Sequence, residues 1–354
     1  MKKQILILLI FPLLLSAQDS IKTEKPVRVV PLLTSTPLMG IGVGMAVSYV
    51  YMGDKSNSSK SQLQVGGQYT NTHSYSVYGK NILWLKNNDI LSATGFAYNN
   101  INNEFDKDGT EVAYNVKTTL LTEILMFRVS NKFYAGIPLS YKYINYEAIS
   151  EGGESFIFDN GMLDEQSGGF GLAFSYDSRK NKYYPIDSGW ITARVHSNPS
   201  WLGAINTYHT FVLDGRYYAK GFGEEDVWAW QFYGQYSSDK TPDSGLPTIS
   251  GKSILRGYPS GKYKARYQSG VQSEYRYTIN NTRFRVVGFF GVANLSGGSY
   301  GVDGRSRMDD GWYTSEGLGI RYKLQQATGV DLSLDLVHNS DNEFSMYLKL
   351  NQAF

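Results

Sequence analysis

The 354-residue sequence contains no cysteine, so no disulfide framework is possible and a lipid-modified N-terminal cysteine is excluded. Long apolar runs are missing too: nothing after position 17 approaches the roughly 20 residues that a spanning helix requires. There is also no charge excess of either sign. Lys2 and Lys3 account for the formal net charge of +2, so positions 18–354 are balanced, and a polyanion such as nucleic acid is not indicated as a partner. No internal repeat, low-complexity tract or linker-like shift divides the chain.

The first residues carry an export signal. Lys2 and Lys3 precede an apolar run over 5–15, and Leu15-Ser16-Ala17 is a small-residue cleavage site before Gln18. The run is too short for a transmembrane helix. Residues 1–17 therefore read as a signal peptide, 18–26 as a short periplasmic segment and 27–354 as the folded domain.

Aromatic residues make up 14% of the chain and glycine contributes 37 residues, which without apolar runs points to many strands. The alternation is that of membrane strands, apolar at every second position for about 9–11 residues. Between positions 39 and 51, Met39, Ile41, Val43, Met45, Val47, Tyr49 and Tyr51 alternate with glycine, alanine and serine. Leu332, Leu334 and Leu336 alternate with Asp331, Ser333 and Asp335, and Phe344, Met346, Leu348 and Leu350 with Ser345, Tyr347 and Lys349. One face suits lipid and the other a polar lumen.

About sixteen such stretches predict an all-β transmembrane antiparallel barrel with both ends on the periplasmic side. The connections sort accordingly: 87–88, 130–131, 221–225 and 280–281 are tight and fall on one side, whereas 147–166, 239–265 and 295–311 are long and fall on the other. The last strand is expected to run to Phe354. Phe344, Met346, Leu348, Leu350 and Phe354 then form a terminal aromatic signal for membrane insertion, which makes the chain a client of the barrel assembly machinery.

Catalytic patterns are weak. Gly297-Gly298-Ser299-Tyr300-Gly301 fits a nucleophile motif but lies in an expected surface loop, not a strand-to-helix elbow. His73, His196, His209 and His338 stand on separate strands or strand ends, with no serine pairing apparent from the sequence. Asp106-Lys107-Asp108-Gly109 is too short for a calcium loop, and no spacing suggests a transition-metal site. The expectation is a non-enzyme without cofactor or metal.

Several motifs in order resemble the BamA/TamA family of outer-membrane assembly and translocation barrels, also called bacterial surface antigens. Gly168-Gly169-Phe170-Gly171-Leu172-Ala173-Phe174-Ser175-Tyr176-Asp177-Ser178-Arg179, followed by Tyr184-Pro185 and Ser188-Gly189-Trp190, is similar to the family's strand ending in Tyr-Asp-x-Arg. Leu255-Arg256-Gly257-Tyr258 resembles its Arg-Gly-aromatic loop tip, and Ser273-Glu274-Tyr275-Arg276 its next strand. Gly317-Leu318-Gly319-Ile320-Arg321-Tyr322 and Val330-Asp331-Leu332 match the strands before the last.

The resemblance implies an inward-folded loop between strands 11 and 12, with Arg256, Gly257 and Tyr258 at its tip and the Arg256 guanidinium pairing with acids on the wall. Alternation independently turns Glu274 inward, so Glu274 is the expected partner. Losing either member of such a shielded pair would cost about 3–5 kcal/mol.

Two departures qualify the resemblance. Family members place a second acid on the following strand, but Phe289-Phe290-Gly291-Val292-Ala293 carries none, leaving Asp177, Asp331 or Asp335 as substitutes. Assembly members also carry periplasmic POTRA domains, which this sequence does not contain. The resemblance implies an integral protein of a Gram-negative outer membrane that assists insertion or passage of proteins or lipids, with outer-membrane lipid and a separate periplasmic protein as partners. The alternative is a passive or plugged pore, which the mixed charges expected in the lumen would also suit.

Overall fold

The structure is a computed structural model describing residues 27–36, 40–55, 57–107, 109–182, 184–251, 253–300, 306–307, 309–325, 330–350 and 352–354. The expected signal peptide and the 18–26 segment lie outside the described residues.

Sixteen antiparallel strands close into one barrel. In chain order they begin β1 (Val27–Thr36), β2 (Gly40–Tyr51), β3 (Ser61–Thr70), β4 (Tyr75–Leu85), β5 (Ile90–Lys107) and β6 (Thr110–Ser130). β7 (Phe133–Ala148) leads through helix α1 (Glu151–Asp159) to β8 (Glu165–Asp177), β9 (Ser188–Asn198), β10 (Tyr208–Lys220) and β11 (Val227–Ser237). After a long loop come β12 (Tyr267–Thr278) and β13 (Phe284–Ser296). A separate two-stranded hairpin, β14 (Ser299–Tyr300) and β15 (Ser306–Arg307), precedes β16 (Gly311–Gln325), β17 (Val330–Asn339) and β18 (Phe344–Leu350).

The alternation of the sequence becomes the two faces of this wall. Val43, Met45, Leu172, Phe174, Phe232, Phe290, Leu318 and Leu336 are exposed on the outside, while Glu274, Arg276, Arg321, Asp331 and Asp335 are buried inside. Such a shape with an apolar exterior fits a bilayer, because closure pairs the edges that hydrocarbon would leave unsatisfied. The long connections leave β7, β11 and β13 on the side opposite the start of β1.

Two boundaries differ from the sequence expectation. β5 and β6 continue past position 101 and before 111, so their ends rise above the rest of the wall. Segment 102–110 lacks alternation because that projection has water beside it. Its lumen face is covered by α1, whose Phe156 and Ile157 pack on Phe105, Val112, Tyr114 and Tyr146; Ser150 caps the helix through Gly153 N. Second, β18 ends at Leu350, and Gln352 and Phe354 turn into the lumen instead of extending the strand.

Candidate functional site: the inserted loop and its buried charges

Loop 238–266 folds into the barrel. Ile249, Ile254, Leu255, Tyr258 and Ala265 form an apolar knot with Ala293 and Leu295 of β13, which anchors the loop before any charge is placed. Gly257 then turns the chain with φ +95°, and a Cβ there would stand 3.0 Å from Val337 Cγ1. Both the backbone and the close approach require glycine. The Gly257 carbonyl accepts from Asn339 Nδ2 at 3.1 Å, and Tyr258 donates its hydroxyl to the Thr314 carbonyl at 2.7 Å.

This turn delivers Arg256 to two walls at once. Nη2 lies 2.8 Å from Glu274 Oε2 on β12 and Nη1 3.1 Å from Asp335 Oδ2 on β17. The guanidinium also stacks on Phe289 of β13, 3.4 Å from the ring centroid. Arg256 is 3% exposed and both acids 0%, so these charges interact with little screening by water.

Asp335 therefore supplies the second acid that position 291 lacks. A Cβ on Gly291 would sit 2.6 Å from Leu255 Cδ2, so the loop's leucine occupies the space an acid would need. The other two candidates are engaged elsewhere. Asp331 binds Arg285 at 2.6 Å, and Asp177 accepts from Arg179 N, Nε and Nη2 at 2.9–3.1 Å. That Asp177–Arg179 fork closes the turn after β8, with Arg179 stacked on Trp190.

The cluster around Arg256 holds more cations than sequence reasoning assigned to it. Arg276 Nε donates to Glu274 Oε1 at 2.8 Å, Arg321 Nη1 to Asp335 Oδ1 at 2.6 Å, and Lys349 lies 3.7 Å from Asp335. The tail joins them. Arg276 Nη2 donates to the Phe354 carbonyl at 2.9 Å, and Arg321 Nε to Gln352 Oε1 at 3.0 Å. The Phe354 ring is buried against Tyr184, Tyr218, Val227 and Ala229. Phe354 is thus linked through Arg276 and Glu274 to Arg256. Phe344, Met346 and Leu348 stay on the outward face of β18, and the Leu350 side chain lies outside the described ones.

The barrel closes between β1 and β18. β1 pairs with β2 from Val27↔Tyr49 to Thr36↔Gly40, but with β18 only at Leu33↔Leu348, Thr34↔Tyr347 and Ser35↔Met346 among the described residues. Pro31, which has no N–H to donate, stands just beyond the last of these pairs.

The histidine reading needs a correction. Ser140 Oγ and His196 Nε2 are 2.7 Å apart across β8, and they meet because Gly169 between them has no side chain: a Cβ there would lie 2.3 Å from His196 Nε2. Asn198 donates toward the Gly168 carbonyl instead of orienting the imidazole. His73 bonds the Tyr69 hydroxyl at 2.7 Å, and His338 approaches Glu316 at 3.4 Å. Ser299 lies in β14, and Gly301 falls outside the described residues. Among the described residues, no group of three potential ligands could hold a metal.

The architectural class is a closed sixteen-strand antiparallel barrel. Solved structures share that fold. BamA from Haemophilus ducreyi lacking POTRA domains 1-3 aligns with a TM-score of 0.58 at 13% identity, over 93% of this chain and 71% of that one. CdiB from Acinetobacter baumannii gives 0.61 at 12% identity, over 93% of this chain and 60% of its own. CdiB from Escherichia coli gives 0.63 at 12%, over 93% and 63%. This chain thus spans less than two thirds of either CdiB. At such identities the likeness is one of fold. No family model and no curated protein matches the sequence.

Proposed function

We propose that the chain is an integral barrel of a Gram-negative outer membrane that assists insertion or passage of proteins or lipids, acting through a seam between β1 and β18 that opens. The carrying observation is the short described ladder at that seam beside the full-length ladder between β1 and β2. Few hydrogen bonds make this the cheapest place to part the wall. The Arg256 cluster braces the β12–β17 wall while the seam moves, and the tail at Gln352 and Phe354 ties the end of β18 to the same cluster. Outer-membrane lipid and a periplasmic protein are the partners of this reading, and the chemistry is positional, with no covalent step.

The absence of native cysteine allows a direct test. Leu33→Cys with Leu348→Cys places two thiols on paired residues of the seam. Oxidation should abolish client insertion by the purified barrel in liposomes, and reduction should restore it. Insertion that proceeds unchanged in the cross-linked protein would sink the proposal.

A second reading, a partly plugged pore, is favoured by Lys80 and Arg194. Both are on lumen-facing positions, and neither has a carboxylate within salt-bridge distance among the described residues.

A further inference from the structure

The outer wall holds a group that hydrocarbon does not solvate. Thr94 of β5, Glu123 of β6 and Leu139 of β7 form one cross-strand row. The adjacent row, Gly95, Thr122 and Ser140, faces the lumen, where Ser140 meets His196. Glu123 therefore points outward. Its outward neighbours Leu121, Leu125, Ile137 and Leu139 are exposed and apolar.

Depth follows from register. Along β6 the outward face reaches Phe127, near Phe133, in one direction, and Thr119, paired with Tyr98 and Tyr143, in the other. Each lies four residues from Glu123, roughly 13 Å of strand at ~3.3 Å per residue. A glutamate side chain cannot span that to either aqueous surface.

Its carboxyl group is held by hydroxyls of β5. Ser92 Oγ donates to Oε1 at 2.7 Å, and Thr94 Oγ1 donates to Oε2. The two hydroxyls hold the carboxyl group and supply no counter-charge, and an ionisable acid at mid-bilayer depth marks a functional contact by default.

No cation among the described residues meets it. Among the described residues, the outward lysine of β6, Lys117, stands farther along the strand and is paired with Glu147 at 2.5 Å. No lysine or arginine of the described outward face stands at the depth of Glu123, so the described face of a second copy offers no complement either.

We propose that the outward face of β5–β7 docks a different membrane-embedded protein, one that presents a lysine or arginine side chain to Glu123 within the bilayer. Ser92 and Thr94 hold the carboxylate in place. Asn81 of β4 continues the same outward row beyond Thr94. The interface rests on the barrel spanning a membrane and is independent of what the lumen carries.

A photo-crosslinking phenylalanine at Leu139 in the full-length protein, in its own outer membrane, tests this. The expected product is an adduct whose mapped peptide carries a lysine or arginine within a few residues of the crosslink. Glu123→Gln should lower its yield at least fivefold while heat-modifiable gel migration remains that of the folded barrel. Glu123→Lys combined with an acid at the mapped basic position should restore it. An adduct with a second copy, a contact lacking a basic residue, or a yield indifferent to Glu123→Gln would each overturn the proposal. Leu139→Cys, probed with lipid-soluble and water-soluble thiol reagents, separates this from a failure of the membrane reading: labelling by the water-soluble reagent would overturn both.

Discussion

On the β10–β18 side the lumen is filled by loop 238–266, whose Ile249, Ile254 and Leu255 are at most 1% exposed. On the β2–β7 side many inward positions are small or polar, among them Gly44, Gln64, Gln68, Gly95, Thr118 and Thr122, and the inward Leu120 and Lys80 remain exposed. Charges behave differently in the two halves. Arg256, Arg276 and Arg321 are nearly excluded from solvent and each meets a carboxylate, whereas Lys80 meets none. Once an apolar loop has displaced water, an unpaired charge becomes costly; where water stays, pairing is optional.

That comparison ranks the effects of substitution. Arg256→Ala takes one cation from each of Glu274 and Asp335 in the filled half; because Arg276 and Arg321 still meet them, the loss should reach at most the about 3–5 kcal/mol of a fully stranded buried charge, read as a lower denaturant concentration for loss of the folded, slow-unfolding form. Arg256→Lys, which keeps the charge without the planar fork, should fall between. Phe354→Ala removes a ring from the Tyr184–Tyr218–Val227–Ala229 pocket, at roughly 3 kcal/mol for an aromatic-to-alanine change. Its membrane level should fall accordingly, and an unchanged level would show that the tail contributes nothing to assembly.

Gly291→Asp comes next, because it adds an acid where Leu255 already stands. Overpacking of this kind costs typically about 1–3 kcal/mol. Leu255→Ala in the same chain should recover part of that loss by vacating the space. If Gly291→Asp alone stabilised the barrel, the competition between leucine and acid would be wrong.

What the sequence reveals follows from the same contrast. Strand number and facing were legible because lipid imposes one chemistry on every second residue, and the inward turn of Glu274 came with it. The acid meeting Arg256 on β17 was not. Asp177, Asp331 and Asp335 all point inward, and their positions around the circumference depend on closure. The tail misled because Phe344 to Phe354 alternates like a strand to its end, while Arg276 and the aromatic pocket that draw Phe354 inward are distant in sequence. Ser140 and His196 meet only across the gap at Gly169. Glu123 did carry a signal, since in β6 the apolar Leu120 and Ile124 face the lumen and the acid faces out, reversing the usual order.

Lys80→Ala is the smallest effect and the sharpest check on the contrast. The side chain is exposed and unpaired, so removing it should change stability by less than about 0.5 kcal/mol. It should nonetheless alter ion passage if the β2–β7 half conducts, because a fixed lumen charge sets the local concentration of counter-ions. Lys80→Glu should therefore shift the reversal potential of single channels toward cation preference under a salt gradient, with the unfolding midpoint nearly unchanged. A large stability loss in Lys80→Ala would mean that this half is as tightly packed as the other. A reversal potential indifferent to Lys80→Glu would mean that ions do not pass beside β4, which removes the main support for the pore reading and leaves the seam as the moving part.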